Sequence, residues 1–204
     1  MAEKKEKQYV SDNAQYETID NICVALTAFI IEIREQTAAL RAYDNVFQSE
    51  SPNHIFLQRA YDSIWRELLS EIARIFDKAN TGSDKNCTIL RLKELCCSEK
   101  SLSLFPDNEK CSPLQPLEKV IEHYNLLPIA KSRKKQLAHH DLKQVLSGEY
   151  IEISLEQIEK LVEDITDVFA KIRTQLYLGV FEVSFTNYNV LVEQFEKDIR
   201  NLIE

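Results

Sequence analysis

The chain has 204 residues, 44% of them hydrophobic and 28% charged, and a formal net charge of −8. That length is ample for one domain with a real core. The acidic balance excludes a general binder of nucleic acid or anionic membrane, so any polyanion site must be a local cationic patch.

Three glycines and five prolines, with no Asn-Gly or Asp-Gly pair, make an all-α protein the expectation. No run of eighteen apolar residues exists, and the opening M-A-E-K-K-E-K leads into no apolar h-region. Neither a transmembrane helix nor a signal peptide is expected, and the location expected is cytoplasmic. The five cysteines (Cys23, Cys87, Cys96, Cys97, Cys111) contain no C-x-x-C pair and are expected to be reduced thiols. Their spacing fits no zinc finger or ribbon, and adjacent Cys96 and Cys97 chelate one ion poorly. No metal and no cofactor is expected.

In chain order, residues 1–11 read as a charged, flexible tail. A long helix runs from about Asp12 to Gln48 on the stripe Ile19, Ile22, Leu26, Phe29, Ile30, Ile33 and Leu40. A second stripe, Val24, Ala28, Ile31 and Ala38, needs cover of its own, from the bundle or from a partner chain. Ser51-Pro52-Asn53 breaks the chain. The next helix, about 53–79, carries Tyr61, Ile64, Trp65, Leu68, Leu69, Ile72 and Phe76. Ala79–Lys85 is a turn around Gly82, followed by a short helix near Thr88–Cys97. Residues 98–116, with Pro106, Pro113 and Pro116, read as one long loop.

A helix from about Leu117 to Leu126 stops at Pro128. Ser154 with Gln157 three places on is a capping-box pattern. It opens a helix striped by Ile158, Leu161, Val162, Ile165, Val168, Phe169, Ile172 and Leu176, which Gly179 ends. An extended strap (Val180, Phe181, Val183, Phe185) then leads to a last helix at about Asn187–Ile203. No internal repeat is visible. One domain over residues 1–204 is expected: an antiparallel four-helix bundle with additional short helices and a C-terminal helix.

One stretch stands apart, K-S-R-K-K-Q-L-A-H-H-D at Lys131–Asp141. It alone gathers cations, two histidines and a carboxylate within a dozen residues. On an ideal helix of about 100° per residue, Arg133 and His140 share an edge while Arg133 and His139 point roughly 120° apart. Lys134 and Asp141 then fall near the apolar side, where they pair or mark a helix that does not run straight through. A solvated basic face with a capping histidine explains the composition equally well. His54 and His123 lie beside helix boundaries without charged company and read as structural. No G-x-S-x-G, H-E-x-x-H or phosphate-loop glycine pattern occurs.

The string R-K-K-Q-L-A-H-H-D resembles the signature of the HEPN superfamily, an arginine followed after four to six residues by histidine. Within it the abortive-infection AbiU-type branch is most similar. Arg133, Lys135, Ala138, His139 and Asp141 match that branch's string in order. Upstream, W-R-E-L-L-S-E-I-A-R-I-F-D-K places Trp65 and Asp77 where such proteins carry a tryptophan and an aspartate. With the helix order, the likeness spans residues 12–178. Lys134 departs from the Asn, Asp or His common after the arginine in HEPN ribonucleases.

The resemblance implies a metal-independent, homodimeric helical ribonuclease, a toxin or antiviral effector whose substrate is RNA. A regulatory protein or antitoxin would be a further partner. Arg133 would clamp the phosphate and His139 would transfer protons, with His140 as the alternate. Lys131, Lys134 and Lys135 would attract the RNA, and Asp141 would orient a histidine. Two other readings stand beside this one. The first is a HEPN bundle that binds RNA, nucleotide or a partner protein without cutting. The second is a helical scaffold whose interface is its purpose.

Overall fold

A computed structural model describes residues 14–50, 55–97, 114–132, 153–176 and 185–203. The expected tail at 1–11, residues 98–113 of the expected loop, and residues 177–184 of the expected strap lie outside the described residues. Seven helices are described: α1 (Ala14–Glu50), α2 (Ile55–Ile75), α3 (Ile89–Cys96), α4 (Leu114–Leu126), α5 (Ile129–Ser132), α6 (Leu155–Leu176) and α7 (Tyr188–Ile203). A two-residue hairpin, β1 (Asn80–Thr81) and β2 (Asp84–Lys85), links α2 to α3. The chain is an all-α helical bundle.

Each apolar stripe read from the sequence meets the core. Ile19, Leu26, Ile30, Ile33 and Leu40 of α1 pack with Leu68 and Ile72 of α2, and with Ile158, Leu161, Ile165, Phe169 and Ile172 of α6. Ile89 and Leu92 of α3 and Leu117 of α4 close the same cluster. Burial of these side chains from water is the main force holding the bundle. Helix α6 is antiparallel to α1. Arg41 Nε donates to Glu159 Oε1 at 2.8 Å near one end, and Arg173 Nη1 to Thr27 Oγ1 at 3.1 Å near the other.

Local chemistry sets the ends. The capping box forms as expected: Ser154 N–H donates to Gln157 Oε1 at 3.0 Å and Gln157 N–H to Ser154 Oγ at 3.3 Å. Thr88 caps α3 by accepting from Arg91 N–H at 3.1 Å. Gly82 turns the hairpin at φ 62°, a left-handed conformation that suits glycine. Asn86 ties the hairpin back, its Nδ2 donating to Lys78 O and Thr81 Oγ1, both at 2.8 Å.

Two boundaries differ from the expectation. Helix α4 starts at Leu114, so Pro116 lies in its first turn instead of before it. Amide groups there have no helical partner, so proline loses nothing. Helix α2 stops at Ile75, short of residue 79. Asp77 N–H donates to Arg74 O at 3.2 Å and turns the chain toward the hairpin.

The second stripe of α1 is covered in part. Helix α7 runs parallel to α1: Arg34 donates to Thr186 O at 2.6 Å, and Asn45 Nδ2 to Glu196 Oε1 at 2.8 Å further along. Between these bonds Ala38, Ala42 and Val192 form a small cluster apart from the main core. Small side chains let the two backbones approach. Upstream of α7, Val24 and Ile31 stay 50% and 44% exposed.

Candidate functional site

The described residues lead to the cationic stretch and stop at its edge. Helix α5 is anchored by Ile129, fully buried in the main core, and packs on α2. Lys131, two residues on, is exposed, as expected for a cation available to a polyanion. Arg133, Lys134, Lys135, His139, His140 and Asp141 lie outside the described residues. The chain re-enters at Ile153, which packs against the core just before the Ser154 cap. Both ends of the stretch are therefore held by the bundle.

Trp65 is half-buried, its ring stacked on Tyr61 with centroids 6.5 Å apart, and Tyr61 in turn meets Tyr43 at 4.6 Å. This is packing between α1 and α2, in line with a core tryptophan. Asp77 lies exposed in the turn after α2.

A cavity of about 530 Å³ opens between α1, α6 and α7. Its walls carry Glu156, Glu159, Glu163 and Asp167 against Arg34 and Lys160. The two cations are already engaged: Arg34 with Thr166 Oγ1 at 3.2 Å, and Lys160 with Glu163 at 2.8 Å. With carboxylates in excess, this cavity repels phosphate. At its α7 end Tyr188 donates to Glu159 at 2.8 Å, and burial, then that carboxylate, raises the phenol's pKa.

His123 corrects the sequence reading. Its Nδ1 lies 2.8 Å from Asp164 Oδ2, so it does have an acidic partner. The residues are forty-one apart on α4 and α6, and no local spacing signals such a pair. Lys160 Nζ holds the other carboxylate oxygen at 3.1 Å. A groove of about 300 Å³ between α4 and α6 reaches the same aspartate, with Gln115, Lys119, Asp167 and Lys171 also on its walls. His54 lies outside the described residues.

Cys23, Cys87, Cys96 and Cys97 are free thiols, while Cys111 lies outside the described residues. Burial pushes the Cys96 thiol up to about 12 and raises that of Cys23 as well, so neither is a ready nucleophile. Among the described residues no group of three His, Cys, Asp or Glu side chains is placed to hold a metal ion. No helix among them is long and apolar enough to cross a membrane.

Compared with families of known proteins, the chain matches the model for AbiU2, a HEPN-type family, over residues 16–200. Curated proteins and solved structures give no match.

Proposed function

Because this chain belongs to the AbiU2 family of HEPN-type abortive-infection proteins, we propose that it is a metal-independent endoribonuclease. Its Arg133–Asp141 stretch cuts RNA through attack of the 2′-hydroxyl, as a toxin or antiviral effector. The observation that carries this reading is the family match over residues 16–200, which encloses that stretch.

The chemistry asks for charge relief at phosphorus, a base at the 2′-oxygen and an acid at the leaving 5′-oxygen. The Arg133 guanidinium holds the phosphate oxygens as charge builds on them. His139, or His140 in its place, titrates near neutrality and moves the proton. Lys131, Lys134 and Lys135 draw RNA to one patch of an acidic protein, and Asp141 orients the imidazole. Two protomers about a two-fold axis bring two such sets together, and so supply base and acid.

The test incubates the purified chain, with a chelator present, with a labelled single-stranded RNA. The expected result is 2′,3′-cyclic phosphate ends on the products. Arg133→Ala is inert, and the same oligonucleotide with 2′-O-methyl groups stays whole. Lys134, in a position often held by Asn, Asp or His in HEPN ribonucleases, favours a second reading, a bundle that binds RNA, nucleotide or a partner protein without cutting. Intact RNA with a saturable shift would select that reading.

A further inference from the structure

His123 and Asp164 form a pair whose geometry exceeds what a helix clamp needs. Leu117, Val120 and Tyr124 of α4 already share one apolar cluster with Ile165 and Val168 of α6. The carboxylate is held from both sides, by the imidazole at 2.8 Å and by Lys160 at 3.1 Å. A carboxylate on Nδ1–H fixes the tautomer that leaves Nε2 bare as an acceptor. Among the described residues Nε2 has no hydrogen-bond partner, and the imidazole is 25% exposed. The charged groups around the pair are Lys119 and Glu122 on α4, with Lys160, Glu163 and Asp167 on α6. Glu118 is occupied by Lys93 at 3.0 Å.

The pair also lies close along the chain to the proposed site. His123 is in the last turn of α4, and Leu127 N–H donates to Tyr124 O at 3.1 Å as the chain turns into α5. From there α5 ends at Ser132, one residue before Arg133. Two helical pieces and that turn keep the Cα atoms of His123 and Arg133 within about 23 Å even at full stretch.

We infer that His123, oriented by Asp164, is a second proton-transfer residue of the RNA-cleaving site. This rests on the ribonuclease reading and refines it: base and acid are then two different histidines of the chain, rather than two copies of one. The 2′-oxygen attacks the adjacent phosphorus and its proton passes to His123 Nε2. The P–O5′ bond breaks as His139, in its protonated form, gives a proton to the 5′-oxygen. The products are a 2′,3′-cyclic phosphate and a 5′-hydroxyl, and solvent restores both imidazoles.

The experiment measures cleavage of one single-stranded RNA oligonucleotide by the full chain between pH 5 and 9, with thermal unfolding followed in parallel. His123→Gln is expected to lower kcat about 100-fold with KM nearly unchanged, and to remove the acid limb of the pH profile. Asp164→Asn is expected to cost about tenfold. Imidazole added to His123→Ala restores cleavage, which a lost clamp cannot explain. If His123→Gln cleaves within twofold of the unaltered chain while Arg133→Ala is inert, the pair is a clamp and the inference falls alone. A loss in His123→Ala that imidazole leaves unrepaired, with a lowered unfolding temperature, has the same meaning. An inert unaltered chain overturns the ribonuclease reading and this inference with it.

Discussion

Arg41 and Glu159 meet through two guanidinium nitrogens across the seam between α1 and α6, each side chain 22% exposed. The same carboxylate accepts from Tyr188, so one residue of α6 ties α1 and α7 together. Replacing Arg41 by Ala leaves Glu159 half-buried with its main partner gone. A loss of about 2 kcal/mol is expected, read as a lower urea midpoint with an unchanged slope. Lys160→Ala, removing an exposed pair of 61% and 63% side-chain accessibility, is expected to leave that midpoint in place. Equal shifts in the two variants would show that the Arg41 network is no stronger than a surface pair.

Glu71 gives a pH signature. The residue is only 4% exposed, and its Oε2 meets no hydrogen-bond partner among the described residues. Burial raises its pKa above the ordinary 4.5 despite Arg74 Nη1 at 2.6 Å from the other oxygen. The unfolded chain therefore releases this proton first. Its contribution to stability is whole below pH 4.5 and declines as pH rises through the folded value. Glu71→Gln is expected to flatten that decline, raising the urea midpoint at pH 7.5 more than at pH 4. A variant weaker at pH 7.5 than the parent would mean that the Arg74 pair outweighs burial.

Phe169 is 1% exposed in the main core. Phe169→Ala is expected to cost about 4 kcal/mol from lost transfer and a residual cavity. Calorimetry should show a much lower Tm. A change below about 1 kcal/mol would contradict the packing described.

At Gly82 an added Cβ meets nothing within 4 Å, but φ is +62°. Gly82→Ala therefore tests backbone strain alone. A loss of about 1 kcal/mol is expected, and less for Gly82→Asn, since asparagine tolerates the left-handed region. Equal losses for both, by urea denaturation, would point to some other cause.

His139 and His140 separate by activity. Under the proposed function, His139→Ala loses about 100-fold in RNA cleavage and His140→Ala changes it little. Reversed results would assign the role to His140. Lys131→Gln, by contrast, is expected to weaken RNA binding and reduce its salt slope by about 0.7, the value for one single-strand phosphate contact. An unchanged slope removes Lys131 from the RNA path.

Much of this architecture was legible because buried stripes repeat at helical spacing. The run from Ile158 to Ile172 on α6 is buried at every expected position. The Ser154 capping box is likewise local, two residues that need only each other. Boundaries were less legible where proline reads as a breaker yet fits a first turn, as Pro116 does. The His123–Asp164 bond was illegible because it depends on how α4 lies along α6, and nothing near either residue encodes that. The parallel course of α7 was hidden for the same reason, since a stripe marks a face and carries no direction.

That parallel course divides the molecule's durability. Helix α7 rests on Ala38 and Ala42 through Val192 and on a few polar ties, while the other helices share one large apolar interior. The last sixteen-residue helix can thus lift away at an energy well below that of global collapse. Its amides should exchange with deuterium earlier than those of α6, and a protease should trim this end while the remainder stays whole.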